Sequence, residues 1–177
     1  LSQRLSVGPQ DRPSTADVLR EDELSDAIRD GIIYPVYLPK IRTDTREAVG
    51  LEALVRWDHP TLGPVGAGPI IGACGRFGLA DALTDEMCRQ AMADAGAWSV
   101  QGLQLGISIN VHAQVFSRRE FPQKLLNIAT AEGVNPRLIT LEVVEGDTLL
   151  SGSVSMEVVG RLRLNDIGLA VDDFGVG

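Results

Sequence analysis

From about residue 21 onward, short apolar β-like runs alternate with stretches of helical periodicity. This alternation restricts the fold more than any other feature of the chain. Residues 22–30 have helical periodicity and stop at Gly31, a residue suited to a left-handed helix end. Residues 32–38 form a β-like run in which Pro35 marks an edge or entry strand. Residues 43–48 are polar and turn-like, and residues 49–57 form a second strand. The glycine-rich stretch 63–72 is expected to be a loop. Residues 83–98 place Leu83, Met87, Ala91 and Ala95 on one helical face. Three further strands are expected at 103–111, 138–144 and 169–174. Helices at 120–132 and 154–164 separate them, the second with a Glu157–Arg161 pair at i,i+4. Strands separated by helices of this length build βαβ units with right-handed crossovers around a parallel sheet. Periodicity alone leaves open whether such a sheet stays open or closes into a barrel.

Residues 1–20 carry Gly8, Pro9, Pro13, Ser14 and Thr15 and few apolar residues. They read as a linker or disordered N-terminal segment, to which an upstream domain could attach. The 177 residues otherwise suit one domain, residues 21–177. A net charge of −8 argues against a nucleic-acid polymer or an anionic membrane surface as partner, because both select Lys and Arg. No apolar run of ~18 residues is present, so no membrane span is expected. Cys74 and Cys88 make neither a CxxC pair nor a disulfide framework, which fits a reducing, cytoplasmic setting.

The informative residues sit in and at the ends of the strands. Glu52 lies within the apolar run 49–57, Asn110 closes 105–109, Glu142 follows 138–141, and Asp172 and Asp173 follow 167–171. Each alone is compatible with a helix cap or a solvated rim group. Four successive strands doing so in order point to a shared site, because the carboxyl ends of parallel strands collect on one rim. An oxygen-only set suits hard divalent cations. His59 and His112 stand apart from each other, so an imidazole or thiolate zinc site has no support. Period-two spacing puts Glu52, Leu54 and Arg56 on one strand face. Arg56 suits either a phosphate, by bidentate hydrogen bonding, or a salt bridge to Glu52 or a neighbouring acid.

The run from Gly50 to Pro60, Gly-Leu-Glu-Ala-Leu-Val-Arg-Trp-Asp-His-Pro, resembles the signature of the EAL domain, the bacterial cyclic-di-GMP phosphodiesterase family. Asn110-Val111, Leu141-Glu142-Val143-Val144-Glu145 and Asp172-Asp173-Phe174-Gly175-Val176-Gly177 resemble its later motifs in the same order. The resemblance implies an α/β fold, a TIM-like (β/α) barrel whose first strand is antiparallel. It implies two divalent cations, Mg2+ or Mn2+, and hydrolysis of cyclic-di-GMP to linear pGpG. Matched position by position, Glu52, Asn110, Glu142 and Asp172 correspond to metal ligands and Asp173 to the acid serving the second metal. Glu145 corresponds to a glutamate that steadies the loop after the Asp-Asp strand. Arg56 corresponds to a phosphate contact, and Leu54 is grouped with it on the ligand side. Glu52, Asp173 and Glu145 are therefore the expected catalytic set. The resemblance is compatible with a homodimer and with an upstream receiver, PAS or GGDEF domain.

The sequence also departs from the family pattern. Leu38 replaces a glutamine, Gly75 a glutamate, and Val144 and Val176 replace threonines, while His112 stands where a serine is common. These changes keep a second role open, that of a degenerate domain that senses cyclic-di-GMP or docks a partner without cleaving it. About five of the eight strands of such a barrel are expected here, since residues 21–177 fall well short of ~250. The family's catalytic lysine lies on a later strand. On this reading the chain is an N-terminal portion of the domain and is expected to be inactive alone.

Overall fold

The computed structural model describes residues 15–144 and 153–172, with Val144 and Asp172 described at the backbone. Two helices, α1 (Thr15–Val18) and α2 (Glu21–Arg29), precede the first strand, β1 (Tyr34–Ile41). α2 ends where Gly31 takes φ +68. There the N–H groups of Gly31 and Ile32 donate back to the carbonyls of Ile28 and Ala27, a stop that needs a left-handed residue. β1 turns through residues 42–47 into β2 (Ala48–His59), and the two strands are antiparallel. A short β3 (Gly63–Val65) folds back on the end of β2. Then α3 (Ala67–Phe77) and α4 (Ala80–Val100) lead to β4 (Gly106–Asn110). α5 (Phe121–Ala131) leads to β5 (Ile139–Val144), and α6 (Ser153–Leu164) to β6 (Gly168–Asp172). The sheet order is β1-β2-β4-β5-β6, and the last four strands run parallel. The expected strand–helix alternation and antiparallel first strand are both present.

The strands alternate strictly between two faces. Ala53, Val55 and Trp57 of β2, Ile107 and Ile109 of β4, and Ile139, Leu141 and Val143 of β5 are buried. On this outer face α3 and α4 pack on β2, α4 also packs on β1 and β4, and α6 packs on β6. Each such Val, Ile or Leu side chain contributes ~1.5–3 kcal/mol by leaving water. The alternate positions form the inner face. There, register aligns Leu38, Glu52, Ser108, Thr140 and Gly168 in one row, and Asn110, Glu142 and Ala170 in the next.

Three local expectations are corrected. The stretch 63–72 is β3 and the first half of α3 rather than a loop. Its glycines are outweighed by Ile70, Ala73 and Cys74, which recur at helical spacing and are buried. Residues 15–20 are not wholly a free linker: 15–18 form α1, Leu19 is only 2% exposed, and Arg76 donates to the carbonyls of Ala16 and Leu19. Residues 1–14 of the expected linker lie outside the described residues. Glu157 pairs with Arg119 at 3.3 Å rather than with Arg161, which donates to the Arg119 carbonyl at 2.7 Å. Both contacts tie α6 to the segment before α5, a tertiary geometry that overrides the i,i+4 option.

No helix among the described residues is long and apolar enough to cross a membrane.

Candidate metal centre

Glu52, Asn110 and Glu142 come together because three neighbouring strands carry them on one face at adjacent register. Glu52 stands opposite Ser108, two residues before Asn110, and Asn110 stands opposite Glu142. The Asn110 amide donates to Glu52 Oε1 at 3.1 Å. That hydrogen bond orients both side chains and leaves Asn110 Oδ1 as an oxygen donor. Glu142 is only 7% exposed, and a buried carboxylate requires a counter-charge. The Lys40 ammonium supplies it, donating to Glu142 Oε1 and, at 2.7 Å, to Ser108 Oγ.

Two carboxylates and an amide oxygen on adjacent strands match the donor chemistry of a hard cation. Among the described residues no group of three or more His, Cys, Asp or Glu is placed to hold a metal. The third donor here is an amide rather than an acid. Asp172 lies on β6 opposite Val144. Asp173 and Glu145 lie outside the described residues.

Beyond the Ala53–Ile109 pair, β2 and β4 no longer bond to each other. The gap is a cavity of about 420 Å³ lined by Leu54, Val55, Ile71, Cys74, Leu83 and Met87, with Glu52 and Asn110 among its walls. Such a lining, apolar with a few convergent polar groups, is that of a ligand pocket. Leu54 is half-buried and stands opposite Val36 on β1. Arg56 stands opposite Tyr34, and its guanidinium donates to the Val55 carbonyl at 2.7 Å rather than to Glu52. The salt-bridge alternative for Arg56 is thus not the one adopted.

The two thiols and the two imidazoles have structural surroundings. Burial pushes the thiols of Cys74 and Cys88 up to about 12, so neither is a thiolate near neutrality. His59 Nδ1 accepts from the N–H groups of Thr61 and Leu62, and its ring packs on Trp57 at 4.5 Å. His112 caps the 3-10 turn that follows β4 by accepting from the Gln114 N–H. Lys40 is the site residue that sequence reasoning missed. Its only signal was even spacing from Leu38 on an edge strand, which says nothing about a partner far along the chain.

A sequence model of the EAL domain matches residues 21–177. Cyclic di-GMP phosphodiesterase PA2567 of Pseudomonas aeruginosa is 33% identical over 142 residues, 80% of this chain and 24% of that protein. Cyclic di-GMP phosphodiesterase RocR of the same organism is 27% identical over 177 residues, 98% of this chain and 45% of its own length. The chain thus spans less than half the length of these curated relatives. Among solved structures, the PaMucR phosphodiesterase in its c-di-GMP complex matches with a TM-score of 0.80 at 24% identity, over 88% of this chain and 64% of that one. The Bacillus subtilis YkuI protein, which has an EAL domain and was solved with substrate c-di-GMP and calcium, matches with a TM-score of 0.68 at 21% identity, over 89% and 39% of the two chains. The sheet described above therefore has the α/β fold of the TIM-like barrels of EAL proteins. On its motifs, its matched span and its fold, the chain belongs to the EAL-domain family.

Proposed function

We propose that the domain binds cyclic-di-GMP and, as part of its full-length cytoplasmic protein, hydrolyses one phosphodiester bond to give linear pGpG. The observation that carries this reading is the convergence of Glu52, Asn110 and Glu142 on the inner face of adjacent parallel strands. The names of the relatives and the substrate complexes of the structural neighbours support it. Glu52, Asn110 and Glu142 would hold divalent cations, Mg2+ or Mn2+, together with Asp172 and Asp173. When bound, such cations polarise the phosphodiester and make a water acidic enough to attack at neutral pH. Water adds to phosphorus as the bond to the ribose 3′ oxygen breaks, and the released 3′ oxygen takes up a proton. Asn110 keeps the Glu52 carboxylate oriented through its amide. Arg56 would turn its guanidinium from the Val55 carbonyl to a phosphate of the ligand, and Leu54 would line the adjoining pocket. Glu145 would steady the loop after Asp172 and Asp173. A net charge of −8 tolerates an anionic ligand under this reading, because cations and Arg56 reverse the charge locally. We extend the proposal to a homodimer and to an upstream receiver, PAS or GGDEF domain.

A second reading, binding without cleavage, is favoured by one observation: Leu38, an apolar residue, stands directly opposite Glu52. One assay separates the two. The full-length protein is incubated with cyclic-di-GMP and Mn2+, and pGpG is measured by chromatography. Turnover that Glu52→Ala abolishes is the expected result. Retained activity in Glu52→Ala overturns the metal assignment, and tight binding with no pGpG establishes the sensor.

A further inference from the structure

The two carboxylates of the candidate centre are held in different ways. Glu52 is held by a neutral amide, Asn110 Nδ2. Glu142 is held by a cation that comes from the far edge of the sheet. Lys40 lies on β1, and β2 and β4 stand between it and β5. In its own register row the neighbouring positions are Gly50 and Gly106, which place no side chain beside the start of the lysyl stem. Its side chain is 41% exposed, whereas that of Glu142 is 9% exposed. The ammonium can therefore withdraw to water while the carboxylate cannot.

We propose that Lys40 is the built-in placeholder cation of this centre. It neutralises Glu142 while no divalent ion is bound, gives way when one arrives, and so sets the affinity of the site. The proposal rests on the metal reading above. A lysine ammonium and a divalent ion compete for the same carboxylate oxygens and repel each other at short range. Ser108 Oγ holds the ammonium beside Glu142 and strengthens the competition. A purely structural ion pair would instead leave metal affinity unchanged or lower it when broken.

The test uses the full-length protein stripped of metal, titrated with Mn2+ by calorimetry and followed by thermal unfolding. Lys40→Gln keeps an amide donor for Glu142 and removes the charge. It should lower the metal-free Tm, bind Mn2+ at least ~10-fold tighter than wild type and gain more Tm on Mn2+ addition, as loss of one competing charge at an effective dielectric of ~20 allows. Lys40→Arg keeps the charge and should retain wild-type affinity. Equal or weaker Mn2+ binding by Lys40→Gln overturns the proposal, as does an equal gain in Lys40→Arg. Should Lys40→Gln need Mn2+ in order to fold while Lys40→Arg does not, the placeholder role is supported. Binding by Lys40→Gln alone also supports it, because Lys40 then blocks the site outright. If no variant binds Mn2+, this proposal and the metal reading fall together; if wild type binds and Lys40→Gln gains nothing, the proposal alone falls.

Discussion

The two faces of the sheet are built from alternate residues of the same strands, and they answer to different forces. On the outer face Ile107, Ile109, Ile139 and Leu141 are 0–1% exposed and fill space against the helices. On the inner face Asn110 donates to Glu52, and Lys40 donates to Ser108 and Glu142, so hydrogen bonds and charge decide what fits. A volume error is felt on the first face and a charge error on the second. One residue apart in sequence, Ile109 and Asn110 are under unrelated constraints. The apolar face is what makes the polar face possible, because it carries the stability that a cluster of partly buried polar groups does not.

The contrast can be broken most directly by truncating its apolar side. Ile109→Ala and Leu141→Ala are each expected to cost about 2–5 kcal/mol in urea unfolding, while Ser108→Ala, which removes one acceptor of Lys40, should cost ~1 kcal/mol. Comparable losses on both faces would erase the distinction. A smaller effect tests whether the packing side extends into the helical layer. A Cβ on Gly96 of α4 would come 2.3 Å from the carbonyl oxygen of Glu132, where the chain leaves α5. Gly96→Ala should therefore cost about 1–3 kcal/mol as overpacking rather than stabilise the helix, again read by urea unfolding.

The smallest effect sharpens the contrast from the solvent side. Burial alone would raise the Glu86 carboxyl, but hydrogen bonds from Arg89 and Gln90 outweigh it and hold the group below its ordinary value of 4.5. A carboxyl depressed in the folded state contributes stability that is fully present above that value and is lost as pH falls through the folded value. Glu86→Gln should flatten the decline of Tm below pH 4.5 and leave the outer-face packing untouched. An unchanged acid limb would remove Glu86 from the groups that govern it.

The sheet was legible because strand periodicity is local. Glu52, Asn110 and Glu142 could be named from their strands because each interrupts or ends an apolar run. Lys40 could not, because its partner lies 102 residues away and the match depends on strand order and on two glycines in its own row. The helical start of α3 was hidden by Gly68 and Gly72, which read as loop residues, although Ile70, Ala73 and Cys74 already carried its spacing. The Glu157–Arg161 pair was a fair local reading that lost to Arg119, a competitor that only the fold brings near.

The reversed direction of β1 has a consequence of its own. Because β1 runs against β2, Lys40 stands level with Gly50, at the foot of the parallel strands, whereas the cavity opens beyond Ala53 and Ile109 toward their carboxyl ends. The centre is thus approached from two opposite entrances, the cavity beside Glu52 and Asn110 and the foot of the strands, where Lys40 reaches Glu142. Changes in the hairpin at residues 42–47 can shift the reach of the inner entrance without altering any group a solute meets. A barrel whose strands all pointed the same way would have to adjust both through one door.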